Sequence, residues 1–212
     1  MPATTAALYL VTKRLIDITG ALFGLLVLFP VFVVLAILVR RSSPGSILHR
    51  RRVLSHQRYA GGVPLSFDAF KFRTMIVNAD AFLETRPDLL REFQKDFKLR
   101  DDPRVTTLGH RIRRTSLDEL PQLINILRGQ MTLVGPRMIS PPELEMYGED
   151  AAKLLSVKPG LTGLWQVSGR QDVSYTERVR LDMYYIDHRS LRLDLEILLR
   201  TVISVLKRQG AY

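Results

Sequence analysis

Asp118 and Glu119 are adjacent carboxylates, four residues beyond the arginine pair Arg113 and Arg114 and two or three before Pro121. Neighbouring acids beside clustered cationic donors suit Mg²⁺ and a phosphate group. The cation takes one or two carboxylates plus phosphate oxygens, and arginine grips phosphate through paired N–H bonds. The same run, Ser116-Leu-Asp-Glu119, also matches a capping box, in which the acids do no more than open a helix. Pro121 complicates that reading. With Ser116 as N-cap, Pro121 is the fifth helical residue, where its missing N–H and its ring cost stability. A helix beginning near Asp118, over 119–128 and stopped by Gly129, removes the conflict. Gln122 and Asn125 then share a face with Asp118, and Leu120, Leu123, Ile124 and Leu127 face a core.

Cations recur in other short motifs: Lys71 and Arg73 in Lys71-Phe-Arg-Thr-Met75, Arg137 after Gly135-Pro136, and Arg170 after Ser168-Gly. Singly, each reads as a surface charge. Together with Arg113 and Arg114 they make a set able to bind a diphosphate.

The chain has 212 residues, 46% of them hydrophobic, enough for one ordinary core plus an appendage. Its 31 Lys and Arg against 21 Asp and Glu give a net charge of +10, which implies an anionic partner. Cysteine is absent, so disulfides, thiolate metal sites and cysteine nucleophiles are excluded. No nucleic-acid-binding motif is present, and no nucleic-acid partner is expected.

Leu15 to Val39 is a 25-residue apolar run with one charge, Asp17, near its start. A helix of about 20 residues crosses a bilayer, so a single transmembrane helix is one reading. Two features favour a re-entrant hairpin. Lys13 and Arg14 precede the run and Arg40 and Arg41 follow it, so the positive-inside tendency pulls both ends to one face. Pro30, just past the middle, breaks the helix. From Arg40 to Arg58 there are six arginines and no acid, a stretch suited to an anionic leaflet at about 1 kcal/mol per charge.

Further along, 63–75 alternates as a short strand or hairpin after the Gly61-Gly62 turn. Residues 78–99 read as helix interrupted at Pro87, 101–104 as loop and 108–114 as a short basic segment. A strand-like piece at 131–134 precedes a helix opened by Pro141-Pro142 and running to about Ser156. Turn-rich loops at 158–163 and 168–170 lead to helices over 176–188 and 191–208, the last with apolar residues in a clear helical period. Its apolar face suits either a core or a membrane surface.

These motifs carry a family resemblance. Lys71-Phe-Arg-Thr-Met75, Asp102-Pro-Arg-Val-Thr106, Arg114-Thr-Ser-Leu-Asp-Glu-Leu-Pro-Gln122, Asn125, Gly135-Pro-Arg137 and Lys158-Pro-Gly-Leu-Thr-Gly163 occur in the order found in the bacterial sugar transferases. The chain resembles these monotopic polyprenyl-phosphate phosphoglycosyl transferases from about Lys13 to its end. The resemblance implies an α+β, mainly helical fold. A re-entrant membrane helix hairpin with its basic flank (1–45) is followed by a compact cytosol-facing catalytic domain (46–212) with a small β-hairpin and amphipathic surface helices. It implies transfer of a sugar 1-phosphate from a UDP-sugar to undecaprenyl phosphate, with UMP released, at the cytoplasmic face of the bacterial inner membrane. Asp118 is then the nucleophile, Glu119 its partner, and both hold Mg²⁺. Lys71, Arg73, Arg113, Arg114, Gln122, Pro136 and Arg137 contact phosphate or nucleotide. Anionic lipids are expected partners, and a homodimer is an open expectation.

The chain departs from the family pattern at Phe29, where Ser often precedes the hairpin proline, at Met138, where a second proline is common, and in a longer segment over 54–69. The transmembrane-rich extension of some relatives is not in the sequence, which fits a minimal catalytic form or a piece of a longer chain. Two other functions stay open: a membrane-anchored basic adaptor without catalysis, and a glycosyl transferase that releases UDP.

Overall fold

The computed structural model describes residues 3–58, 64–99, 101–169 and 173–207. Arg170 and the Gly61-Gly62 turn lie outside them. The fold is mainly helical, with one antiparallel β-hairpin and one short parallel strand pair.

The N-terminal apolar run forms two helices, α1 (Ala3–Val27) and α2 (Phe29–Ser42), bent by 63° about Leu28. Pro30 falls in the first turn of α2, where a missing N–H costs nothing. The break is thus realised two residues before the proline. No single helix among the described residues is long and apolar enough to cross a membrane, but the bent pair meets that test jointly.

One stripe of α1 packs on the rest of the protein. Tyr9, Lys13, Asp17 and Ala21 recur every fourth residue, along one helix face. Lys13 pairs with Asp194 at 2.8 Å, and Asp17 accepts bonds from the Thr132 hydroxyl and the Leu133 N–H. Arg14 donates to the carbonyls of Ile126 and Leu127. The charges that read as topological flanks are therefore also bolts between α1 and the domain. The opposite side exposes Leu8, Val11, Leu15, Leu22, Phe23 and Leu26.

The segment expected as a basic lipid-facing stretch becomes a strand in its second half. β1 (Leu48–Arg58) pairs antiparallel with β2 (Pro64–Phe72), from Leu48 opposite Phe72 to Leu54 opposite Ser66. Opposed residues share a face. His49, Arg51 and Val53 therefore stand on one face with Lys71, Ala69 and Phe67. Val53, Phe67 and Ala69 are buried with Leu123, Ile126 and Met131, while His49, Arg51 and Lys71 continue that face into a cleft.

The helix expected over 78–99 is divided at Arg86–Pro87 into α3 (Ala79–Glu84) and α4 (Pro87–Asp96). The Asp-Pro-Arg-Val-Thr motif then bridges back to the end of Lys-Phe-Arg-Thr-Met: Ile76 N–H donates to the Arg104 carbonyl and Thr106 N–H to the Thr74 carbonyl. The Thr106 hydroxyl accepts the Gly109 N–H and so caps α5 (Thr107–Arg114). A Cβ on Gly109 would lie 2.1 Å from the Thr74 carbonyl oxygen, so only glycine lets α5 seat here.

A 3₁₀ turn, Leu117–Glu119, leads into α6 (Gln122–Leu127). β3 (Thr132–Val134) runs parallel to β4 (Gly160–Thr162). A Cβ on Gly160 would meet the Gly135 nitrogen at 2.2 Å, so the Gly-Pro-Arg and Lys-Pro-Gly-Leu-Thr-Gly motifs interlock by backbone contact. The helix expected from Pro141 to Ser156 is a 3₁₀ segment, Pro141–Asp150, kinked at Gly148, then α7 (Ala151–Leu154). Short α8 (Leu164–Val167) precedes α9 (Tyr175–His188) and α10 (Leu191–Lys207). Tyr185 and Ile197 fill a core with Val134, Ile139 and Tyr147, while Leu195, Leu199, Val202 and Ile203 of α10 stay exposed.

Candidate active site

The end of β2, the helix α5 and the 3₁₀ turn converge on one cleft of about 1600 Å³. Because Gly109 seats α5 against Thr74, Arg113, one turn later, donates from Nε to the Thr74 hydroxyl at 2.9 Å. The chain then reverses at Ser116, whose φ of 55° is left-handed. Such a conformation costs a side-chain-bearing residue roughly 1–2 kcal/mol. No side-chain cap bond forms at Ser116, so the capping box is not what places the acids. Pro121 stands just ahead of α6. The reach-back bond of a capping box occurs instead at Ser140, whose N–H donates to Glu143.

Asp118 is buried in the cleft floor at 6% exposure, and Glu119 is half-buried beside it. Lys71 Nζ lies 2.5 Å from Glu119 Oε1. The two acids respond oppositely. Burial pushes the Asp118 carboxyl above the ordinary aspartate range, against the pull of Lys71 and Arg113 and with the push of Glu119. Burial also acts to raise Glu119, but Lys71, by charge and hydrogen bond, together with Arg137 and Arg51, outweighs it and holds Glu119 low. His49, opposite Lys71 on β1, is pushed down by burial and by Lys71, Arg51 and Arg113, against the pull of Asp80.

Among the described residues no group of three or more His, Cys, Asp or Glu gathers to hold a metal. The donor set at the cleft floor is oxygen only. Among those residues no side chain hydrogen-bonds the Asp118 carboxylate, which leaves it open to a ligand. Two carboxylates completed by phosphate and water are the habit of Mg²⁺, so these residues fit that ion.

The bacterial sugar transferase family profile matches residues 8–208. The chain belongs to that family. It is 47% identical over 204 residues to a UDP-galactose-lipid carrier transferase of Erwinia amylovora, covering 94% of this chain and 41% of the relative. It is 43% identical over 206 residues to the exopolysaccharide production protein ExoY of Sinorhizobium fredii, covering 95% of this chain and 88% of the relative. An undecaprenyl-phosphate galactose phosphotransferase of Salmonella typhimurium is 44% identical, over 94% of this chain and 41% of its own length. The chain thus spans less than half of two of these relatives and most of the third.

Of the residues expected to contact phosphate, Lys71, Arg73, Arg113 and Arg137 line the cleft with Asp118 and Glu119. The Arg73 guanidinium bonds Ser43 and the Ser46 carbonyl, tying down the turn between α2 and β1. Arg114 is exposed and outside the cleft lining. Gln122 is fully buried, with neither amide atom bonded among the described residues, and Asn125 holds the backbone of Asp68 and Phe70. Pro136 is buried and its carbonyl accepts the Gly160 N–H. These three lie outside the cleft lining as well.

Sequence reasoning missed Arg51, which lines the cleft and pairs at 2.5 Å with the buried Glu143. Period-two alternation of His49, Arg51 and Val53 carries the signal, masked by the flanking arginines. It also missed Trp165 and Arg178. The Arg137 guanidinium lies 5.1 Å and that of Arg178 4.5 Å from the Trp165 ring centre. Behind them Asp182, fully buried, accepts the Tyr147 hydroxyl and the Arg137 N–H. Burial pushes its carboxyl up to about 7, against those bonds and the neighbouring guanidiniums.

Proposed function

We propose that this protein transfers a sugar 1-phosphate from a UDP-sugar to undecaprenyl phosphate, through an aspartyl-phosphosugar on Asp118, and releases UMP. The observation that carries the reading is a buried carboxylate with no side-chain partner among the described residues, Asp118, ringed by Lys71, Glu119 and Arg113 in a cleft. The names of the relatives, a galactose phosphotransferase and a UDP-galactose-lipid carrier transferase, support the substrate class.

In the first step an Asp118 carboxylate oxygen attacks the sugar-bearing phosphorus. The bond from that phosphorus to the bridging oxygen breaks, and the electron pair leaves with UMP. In the second, a phosphate oxygen of undecaprenyl phosphate attacks the same phosphorus, and the bond to Asp118 breaks, restoring the carboxylate. The attacking group needs no base once ionised. Lys71 and Arg113 hold the oxygens of the transferred phosphate and offset developing charge. Glu119 keeps Lys71 oriented. Asp118 and Glu119 are the residues that would hold Mg²⁺, which when bound neutralises the diphosphate.

The bent pair α1–α2 is proposed to dip into the cytoplasmic leaflet and return, with 46–212 facing the cytosol. The exposed apolar side of α1 and the exposed Arg40 and Arg41 at the end of α2 support this. Labelling of residues before Lys13 only from outside the cell would overturn the hairpin.

The deciding assay incubates detergent-solubilised protein with Mg²⁺, undecaprenyl phosphate and a panel of UDP-sugars, and identifies the nucleotide released. UMP is expected. UDP would mean transfer of the sugar alone and would sink the mechanism.

A further inference from the structure

Among the described residues, four buried polar atoms in one neighbourhood lack a hydrogen-bond partner: Arg137 Nε, Trp165 Nε1, Tyr175 Oη and Arg178 Nε. All four can donate. Arg178 is only 4% exposed, yet among the described residues its guanidinium meets no carboxylate or carbonyl; it stacks on Trp165 and on Tyr175, 4.9 Å from the latter ring centre. A buried arginine normally has an ion-pair partner, because its desolvated charge is costly alone. The nearby acids are engaged elsewhere: Glu143 with Arg51, and Asp182 with the Tyr147 hydroxyl and the Arg137 backbone. Two guanidiniums and the Tyr175 hydroxyl thus gather about one indole, and among the described residues no acceptor bonds these four donor atoms.

Arg137 and Trp165 line the same cleft as Asp118, with Arg178 and Tyr175 of α9 backing the indole. The missing component is rich in acceptors and anionic. We propose that the Arg137–Trp165–Arg178 stack is a second phosphate subsite of the cleft, distinct from the Lys71 and Arg113 cations at the dyad. Arg137, which lines the cleft, contacts the phosphate, and the Trp165 ring carries its guanidinium. Arg178 is a positioning residue that fixes the indole and adds the second charge. The inference rests on the proposed function for its ligand class, a phosphate ester. That ester belongs either to the nucleotide side of the donor or to the polyprenyl acceptor.

Trp165 is the sole tryptophan of the chain, so it reports directly on the stack. The full chain in detergent is titrated with UMP, with uridine and with farnesyl phosphate while tryptophan emission is followed. A saturable change with UMP, and none with uridine, is expected. Farnesyl phosphate producing the change in place of UMP also supports the subsite and assigns it to the acceptor. Arg178→Met should weaken phosphate-ester binding by about tenfold, because the indole loses its stacked guanidinium and the subsite one positive charge. Arg178→Lys should recover part of it, and KM should rise more than kcat falls. Thermal unfolding checks that both variants fold, and the titration of the unaltered chain stands without them. No emission change with either ester, or an equal response to uridine, overturns the subsite. Release of UMP in turnover alongside a flat titration defeats this inference alone, whereas release of UDP defeats the proposed reaction alone.

Discussion

Asp118 and Glu119, one peptide bond apart, are driven in opposite directions: burial lifts the first, while Lys71 at 2.5 Å lowers the second. The fold thus stabilises one acid as an ion and tolerates the other at a cost. Asp118→Asn should abolish turnover and at the same time raise the melting temperature at neutral pH, because a neutral amide relieves the desolvated charge. Glu119→Gln should lower it, by about 1–3 kcal/mol of stability, since Lys71 loses its partner in a site that retains some water. Melting curves of both variants decide this. A stabilised Glu119→Gln, or a destabilised but folded Asp118→Asn, contradicts the assignment.

The pH dependence follows from the same pair. A raised aspartate binds its proton more tightly when folded. The stability this linkage gives is therefore fully present below the unfolded pKa and is lost as pH rises through the raised folded value. In the proposed mechanism activity runs the other way, because there only the carboxylate attacks. The acid limb of kcat/KM should lie above the ordinary aspartate range. Lys71→Met removes a charge that pulls Asp118 down, so that limb should move to higher pH. An unchanged limb in Lys71→Met would show that another group controls it.

That Lys71, Arg113, Arg137 and the two acids belong to one cleft was legible in the sequence, from short cationic motifs and the family resemblance together. Lys71, Arg113, Arg137 and the acids could be picked out because each sits in a short motif with turn residues that fix its surroundings. Pro121 located the helix start to within a few residues. Arg51 was hidden because three successive arginines blur a period-two pattern, and β1 merged into a basic stretch. Arg178 was hidden because an arginine on a helix reads as solvated; its burial depends on Trp165, thirteen residues away. Gln122 was drawn into the site by helical spacing from Asp118. The 3₁₀ turn breaks that spacing and turns Gln122 into the interior.

Gly109 links fold to chemistry. Its replacement by alanine puts a methyl group 2.1 Å from the Thr74 carbonyl oxygen, so α5 must move away from the end of β2. The Arg113–Thr74 bond is then lost and Arg113 is misplaced in the cleft. Gly109→Ala should cost about 1–3 kcal/mol in stability by overpacking and lower kcat/KM. Gly148→Ala, where nothing lies within 4 Å of the added methyl group, carries only the strain of its φ of 48° and should leave the cleft intact. Equal kcat/KM in the two variants would mean that α5 placement does not govern Arg113.

Arg14 tests whether the N-terminal helix serves only the proposed lipid acceptor. Its guanidinium bonds the carbonyls of Ile126 and Leu127 at the end of α6, the helix that follows directly from the Asp118 turn. The Ile126 carbonyl also accepts the Gly129 N–H of the closing turn, and a cation beside these end carbonyls adds a cap and complements their partial charge. Arg14→Met keeps the apolar stem and removes the bonds, costing about 1–3 kcal/mol. Loosening α6 should slow the first half-reaction, measured as UMP released per protein with UDP-sugar and no acceptor lipid. If α1 contributed nothing beyond lipid access, that burst would be unchanged and only transfer to undecaprenyl phosphate would slow. A slower burst places α1 in the structure of the active site, through a contact 112 residues apart in sequence.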